Sequence, residues 1–189
     1  QLFVQSIHAE SNPEGFVPSM IYMAYQSRAT YLRGISGTLQ VSLIGTLCGF
    51  LLAILLSFLR IQVPDRRDAD SIQILKLIGQ SFAKTYTTII RGTPMMVQAM
   101  FLFYALKPIL NWNPISAACV IISINTGAYM AEIIRSGIQS VDRGQSEAAR
   151  SIGMTSIQTM RYVILPQAIK NAFPSIGNEF IVNIKDSSV

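Results

Sequence analysis

The chain has 189 residues, a formal net charge of +5, 50% apolar residues and 13% charged ones. Soluble domains carry about 25% charged residues, so this balance sets the chain apart from them and places it in the membrane class. No phosphate loop of the form G-x-x-x-x-G-K-[ST], nucleophile elbow or metalloprotease pattern occurs, and Cys48, Cys119 and His8 form no metal-ligand cluster.

Residues 1–33 read as a segment apart, extracytoplasmic or interfacial. Ser11-Asn12-Pro13-Glu14-Gly15 suggests a turn, and Val17 to Tyr31 an interfacial helix with Met20, Met23 and Tyr31 at the membrane surface; a disordered tail is the alternative. The membrane domain is expected over residues 34–189. No charge occurs between Arg33 and Arg60, a run long enough to cross a hydrocarbon core of about 30 Å. The first span is therefore predicted near Thr38 to Leu59. It lies well inside the chain and lacks a small-residue cleavage site, which excludes a signal peptide. Cys48 in this span and Cys119 in the third are expected to be buried free thiols.

A loop carrying Arg60, Arg66, Arg67, Lys76, Lys84 and Arg91 is expected next. The second span is predicted from Thr93, as N-cap with Pro94 at the first helical position, to about Leu110. Asn113 and Pro114 repeat that signal for a third, ending near Ile134. A fourth should start after Pro166, pass Phe173 and Phe180, and be bent by Pro174 and Gly177.

Between the third and fourth spans, residues 141–166 read as a helix, a tight turn at Gly153 and a second short helix. The second helix is expected to start at the Thr155/Gln158 capping box and stop near Pro166. Small Ala148 and Ala149 leave this knob's backbone approachable, and Glu147 offers a fixed charge. A plain connection is one reading. A DNA-binding helix-turn-helix is another, but Thr159 stands where that motif wants an apolar anchor, and the flanking spans would tether it to lipid. Basic residues orient the chain: the loop from Arg60 to Arg91 and the knob, with Arg143, Arg150, Arg161 and Lys170, fall on the cytoplasmic side, whereas the second-to-third connection has only Lys107.

The knob resembles the EAA loop of bacterial ABC importer permeases: Glu147-Ala148-Ala149, Gly153 and Val163-Ile164-Leu165-Pro166 stand at that family's spacing, with Val163 in place of isoleucine. Arg91-Gly92-Thr93-Pro94-Met95-Met96-Val97-Gln98, Ala128-Tyr129-Met130-Ala131-Glu132-Ile133-Ile134-Arg135, and Gly177-Asn178-Glu179-Phe180-Ile181 with Lys185-Asp186-Ser187-Ser188 are similar to its polar amino-acid branch. The resemblance covers about residues 34 to 189. It implies an all-α helical bundle whose coupling helix, with Glu147, Ala148, Ala149, Arg150 and Gly153, sits in a cleft of a separate ATPase. It also implies a second permease subunit, identical or not, an external amino-acid-binding protein, and ATP with magnesium on the ATPase rather than on this chain. Family members continue with another span, so this chain is expected to be a portion of a longer permease.

Polar groups inside the spans are the candidate substrate path. Glu179 lies about twelve residues past Pro166, roughly 18 Å into the bilayer at 1.5 Å per residue, and a carboxylate there needs a cavity or a partner. Asn125 and Tyr129, one turn apart on the third span, are candidates to line the same path, with interhelical packing as the alternative for all three. Lys185 and Asp186 are expected where a broken helix borders water. Glu132 and Arg135 suit a local ion pair. The reading is a non-enzymatic permease subunit of an ATP-driven importer for polar or charged amino acids, working by alternating access in a bacterial cytoplasmic membrane without nucleic-acid contact. A channel or an ion-coupled carrier without an ATPase is the alternative.

Overall fold

The computed structural model describes residues 15–62 and 69–187. Residues 11–14 of the turn expected at Ser11 to Gly15, together with His8 and the loop charges Arg66 and Arg67, lie outside the described residues. The chain divides between Gln40 and Val41 into two units. In the first, helix α1 (Phe16–Gln26) buries no residue. Its end is fastened by Arg28, whose Nη1 donates to the Tyr25 carbonyl at 3.0 Å while the guanidinium lies over the Tyr25 ring. Helix α2 (Arg28–Ile61) contains the unit boundary and also residues 33 and 34.

From Val41 onward the buried side of α2 is a stripe at every fourth position: Val41, Gly45, Gly49, Ala53 and Ser57. Four-residue spacing keeps these on one helix face, and their small size lets a neighbouring backbone approach. Leu43, Leu47, Leu51, Leu55 and Phe58 stay exposed, as a lipid-facing side requires. Cys48 is exposed and Cys119 half-buried, so both are free thiols but neither is fully buried as the sequence suggested.

The basic loop expected after Arg60 is mostly helix. Helix α3 (Asp70–Gly92) carries Asp70 in its first turn and Arg91 in its last, matching the helix dipole. Its basic residues punctuate an amphipathic helix, a pattern that resembles a loop when charges alone are read. Thr93 does not cap the next helix. It ends α3 in an extended conformation, φ −121° and ψ 142°, and its Oγ1 donates to the Ile89 carbonyl at 2.9 Å. Pro94 disfavours helical geometry in the residue before it, and itself takes the N-cap position of helix α4 (Met95–Leu110). The two helices meet at 107°. At 16 residues α4 is about 24 Å long, short of a crossing by itself.

Helix α5 (Pro114–Gln139) starts as expected: Asn113 Oδ1 accepts from Ser116 N at 2.8 Å, and Pro114 leads. It continues past Ile134 to Gln139. Helix α6 (Arg143–Ser151), a four-residue helix α7 (Ser156–Thr159) and a π-helical turn (Met160–Ile164) come after it, the last running directly into helix α8 (Leu165–Asp186). Pro166 therefore begins a long helix instead of stopping a short one. The Leu165 N–H reaches back to the Met160 carbonyl, and the return to ordinary spacing falls at a proline that has no N–H to give. Nor is α8 broken: it passes Pro174 and Gly177 without interruption.

All elements described are helical, as the all-α bundle reading requires. By length and composition α2 and α5 qualify as membrane spans, with a third if α3 and α4 form one broken span. Helix α8, 22 residues and about 33 Å long, has the length of a span but a more polar composition than α2 and α5.

Helix α5 is the centre of the second unit. A Cβ on Gly45 would lie 2.5 Å from Ile122 Cγ2, one on Gly49 2.7 Å from Thr126 Cβ, and one on Gly127 2.7 Å from Leu52 Cδ2. Toward α8, a Cβ on Gly137 would lie 2.9 Å from both the Ala168 carbonyl oxygen and Ala172 Cβ. Ala53, Leu56, Ala83, Met130 and Ala131 bring α2, α3 and α5 into one core.

Candidate functional site

Two groups of residues stand out, a protruding knob and a set of buried polar side chains. The knob begins at Asp142, whose Oδ1 accepts from Gly144 N at 2.7 Å. It closes α6 with two reverse bonds, Gly153 N to the Arg150 carbonyl at 2.9 Å and Met154 N to the Ala149 carbonyl at 3.1 Å. That pairing needs a left-handed residue at its corner, and Gly153 has φ +87°. The capping box is complete: Gln158 N donates to Thr155 Oγ1 at 3.3 Å and Thr155 N to Gln158 Oε1 at 2.8 Å.

Of the five residues expected to couple, Glu147, Ala148, Arg150 and Gly153 are exposed, but Ala149 is turned inward at 4% exposure. Its small side chain serves the knob's own packing. The most exposed large apolar side chains of the knob are Ile152 and Ile157, each 80% exposed. Beneath them, Val141, Ile164 and Ala168 join the knob to α8.

The polar set is built on α5 and α8. Asn125 is buried, and its Nδ2 donates to Gln98 Oε1 at 3.2 Å. Gln98 Nε2 in turn reaches the Ile90 carbonyl at 2.7 Å and Thr93 Oγ1 at 2.6 Å, fastening the bend between α3 and α4. Tyr86 of α3 adds a bond from its hydroxyl to the Ile124 carbonyl at 2.7 Å. Tyr129 is half-buried, with the Arg91 guanidinium 5.3 Å from its ring centroid. Glu179 is buried, stands within electrostatic reach of Asp186, which repels its carboxylate, and of Arg91, which attracts it less strongly, and has no hydrogen-bond or ion-pair partner among the described residues. Lys185, six residues beyond Glu179, is exposed and about 240° around α8 from it, so the helix does not bring these two together.

The expected local pair is present and is part of something larger. Arg135 Nε donates to Glu132 Oε1 at 2.8 Å, Arg60 Nη1 reaches Oε2 at 2.8 Å, and Arg91 Nη1 stands 4.0 Å from the same oxygen. One carboxylate thus gathers guanidinium groups from α2, α3 and α5.

Sequence reasoning counted Arg60 and Arg91 among the loop charges, quoted Arg91 and Gln98 otherwise only as the ends of a family-like run, and singled out neither Thr126 nor Asn183. Asn183 did leave a signal: it is a lone amide between Phe180 and Ile184 in an apolar stretch, where a polar residue needs a partner. Gln98 was marked only by its place in the family-like run from Arg91, and its bonds depend on a bend that its helix alone does not announce.

Residues 75–189 match the family described as "Binding-protein-dependent transport system inner membrane component". A putative glutamine transport system permease protein GlnP of Rickettsia prowazekii is 35% identical over 173 residues, covering 90% of this chain and 74% of the relative. The glutamine transport system permease protein GlnP of Escherichia coli K12 is 36% identical, over 84% and 68% of the two chains. Among solved structures, one described as an amino acid ABC transporter with histidines superposes with a TM-score of 0.71 at 41% identity, covering 86% of this chain and 72% of that one. An inward-facing MetNI methionine ABC transporter, 21% identical with a TM-score of 0.65 over 82% and 70% of the two chains, shares the fold.

Proposed function

The chain belongs to the family of binding-protein-dependent transport system inner membrane components, the permease subunits of ABC importers, and from that premise we propose that its cargo is a polar amino acid, glutamine being the first to test. The substrate class is supported by the GlnP relatives and by the amino acid transporter structure. The same likeness favours an importer over a channel or an ion-coupled carrier. The chain is a membrane protein and not itself the catalyst; permeases of this family work with an ATPase and a binding protein.

In this reading the exposed face of the knob, Glu147, Ala148, Arg150 and Gly153, docks in a cleft of the ATPase, where ATP and magnesium are held, while Ala149 shapes the knob from within. Two permease subunits enclose one path in the bacterial cytoplasmic membrane, with the knob on the cytoplasmic side. Closure of the ATPase dimer on ATP pulls α6, and through Val141, Ile164 and Ala168 the pull reaches α8. The bundle then turns from inward-facing to outward-facing, a rigid-body switch between two packings. Glu179, with Asn125 and Tyr129 on α5, lines the path, and a substrate ammonium is a fitting partner for its unpaired carboxylate. Lys185 borders the path at the end of α8.

The observation that carries the reading is the knob itself, a short helix closed by a left-handed glycine and fixed by a capping box at the foot of a long helix. The test is reconstitution of the permease in vesicles with its ATPase and binding protein, and then uptake of labelled glutamine. ATP-dependent accumulation that unlabelled polar amino acids compete away is expected. Uptake driven by an ion gradient in the absence of the ATPase would instead establish a carrier.

A further inference from the structure

We propose that Asn183 is a positioning residue for transport: through bonds to α2 and α5 it fixes the rotation of α8 and so the direction in which Glu179 faces. The proposal rests on the reading of Glu179 as a residue of the path. Asn183 is 2% exposed. Its two amide atoms are directed to different helices, Nδ2 donating to Thr46 Oγ1 at 2.8 Å and Oδ1 accepting from Thr126 Oγ1 at 3.0 Å. Its backbone carbonyl accepts from Ser42 Oγ at 3.2 Å, and that hydroxyl lies 2.8 Å from Ser187 Oγ, one turn further along α8.

A side chain needed only to fill space here has no use for polarity, since a leucine would occupy the gap between three helices without burying an amide. Apolar contacts are nondirectional and tolerate some rotation of a helix about its axis, whereas a donor and an acceptor aimed at two fixed hydroxyls do not. Glu179 stands four residues earlier on the same face of α8, and both are buried. Thr126 lies next to Asn125 and three residues before Tyr129. The bond that fixes α8 therefore also fixes the part of α5 that carries the other two path residues.

The experiment uses the full complex in vesicles and reads ATP-dependent glutamine uptake, the amino acids that compete with it, and the amount of assembled complex. Asn183→Leu is expected to assemble normally and lose about tenfold in uptake, and adding Glu179→Gln should cost little more than the larger single loss, because groups acting as one unit are not additive. Competition by other amino acids should broaden as well, which a smaller amount of intact transporter does not produce. Wild-type uptake in Asn183→Leu, or single losses that multiply in the double variant, overturns the proposal while leaving Glu179 in the path. A silent Glu179→Gln removes the path reading and the positioning role with it. If Asn183→Leu does not assemble, Thr46→Val and Thr126→Val each delete one bond at nearly constant shape. A loss of about threefold or more in each is then expected, and wild-type uptake and competition in both count against the proposal.

Discussion

Glu132 Oε2 lies 2.8 Å from Arg60 Nη1 and ties the last turn of α2 to α5 across 72 residues of sequence. The same carboxylate holds Arg135 on its own helix and stands 4.0 Å from Arg91 at the end of α3. Glu132→Gln keeps the shape but leaves three guanidinium groups around a neutral amide. Loss of charge-assisted bonds of this kind costs about 1–3 kcal/mol, so the variant should melt at lower temperature in detergent. An unchanged melting temperature would mean that the cluster is held together by the backbone and that its ion pairs contribute nothing.

The α2–α5 crossing leaves no room for a methyl group. A Cβ at Gly49 would stand 2.7 Å from Thr126 Cβ and 3.1 Å from the Ser123 carbonyl, an atom of the backbone that cannot swing aside. Gly49→Ala is expected to destabilise by about 1–3 kcal/mol, the range of overpacked cores. Gly37→Ala is the control: a Cβ there meets nothing within 4 Å, and replacing a helical glycine by alanine should be neutral or stabilising by up to about 1 kcal/mol. Thermal melting of the two variants side by side checks the contrast, and equal effects would disprove the tight crossing.

Gly153 presents the opposite situation, since its surroundings are open and its backbone is not. A Cβ at this position would meet no heavy atom within 4 Å, but φ is +87°. The penalty for Gly153→Asp is then conformational, on the order of 1–2 kcal/mol, small enough for the bundle to fold. The new side chain projects from the exposed knob. Normal membrane insertion with loss of ATP-driven uptake is expected, and full uptake would remove the knob from the ATPase contact.

The orientation can be measured with single cysteines in a background lacking Cys48 and Cys119. Lys107 near the end of α4 and Arg143 at the start of α6 are both exposed on the protein. From the distribution of basic residues, Lys107→Cys should react with an impermeant thiol reagent added to intact cells and Arg143→Cys should not. Reaction of the Arg143 position from outside would invert the topology.

Features formed within a few residues were legible in the sequence. Asn113 and Pro114 start α5, Gly153 closes α6, and Thr155 with Gln158 caps α7, because each of these is an interaction between neighbours whose geometry depends on little else. The spacing of Glu147, Gly153 and Pro166 carried the family for the same reason. Tertiary structure decided the rest. It turned Ala149 inward while leaving Ala148 exposed, and set the 107° angle at which the helix from Asp70 meets the next one across the break at Thr93 and Pro94. It also set Asn183 between Thr46 and Thr126, and Arg60 against Glu132. Helical periodicity says which residues share a face, but not which face meets which, and those pairings depend on how closely Gly45, Gly49 and Gly137 let the helices approach one another.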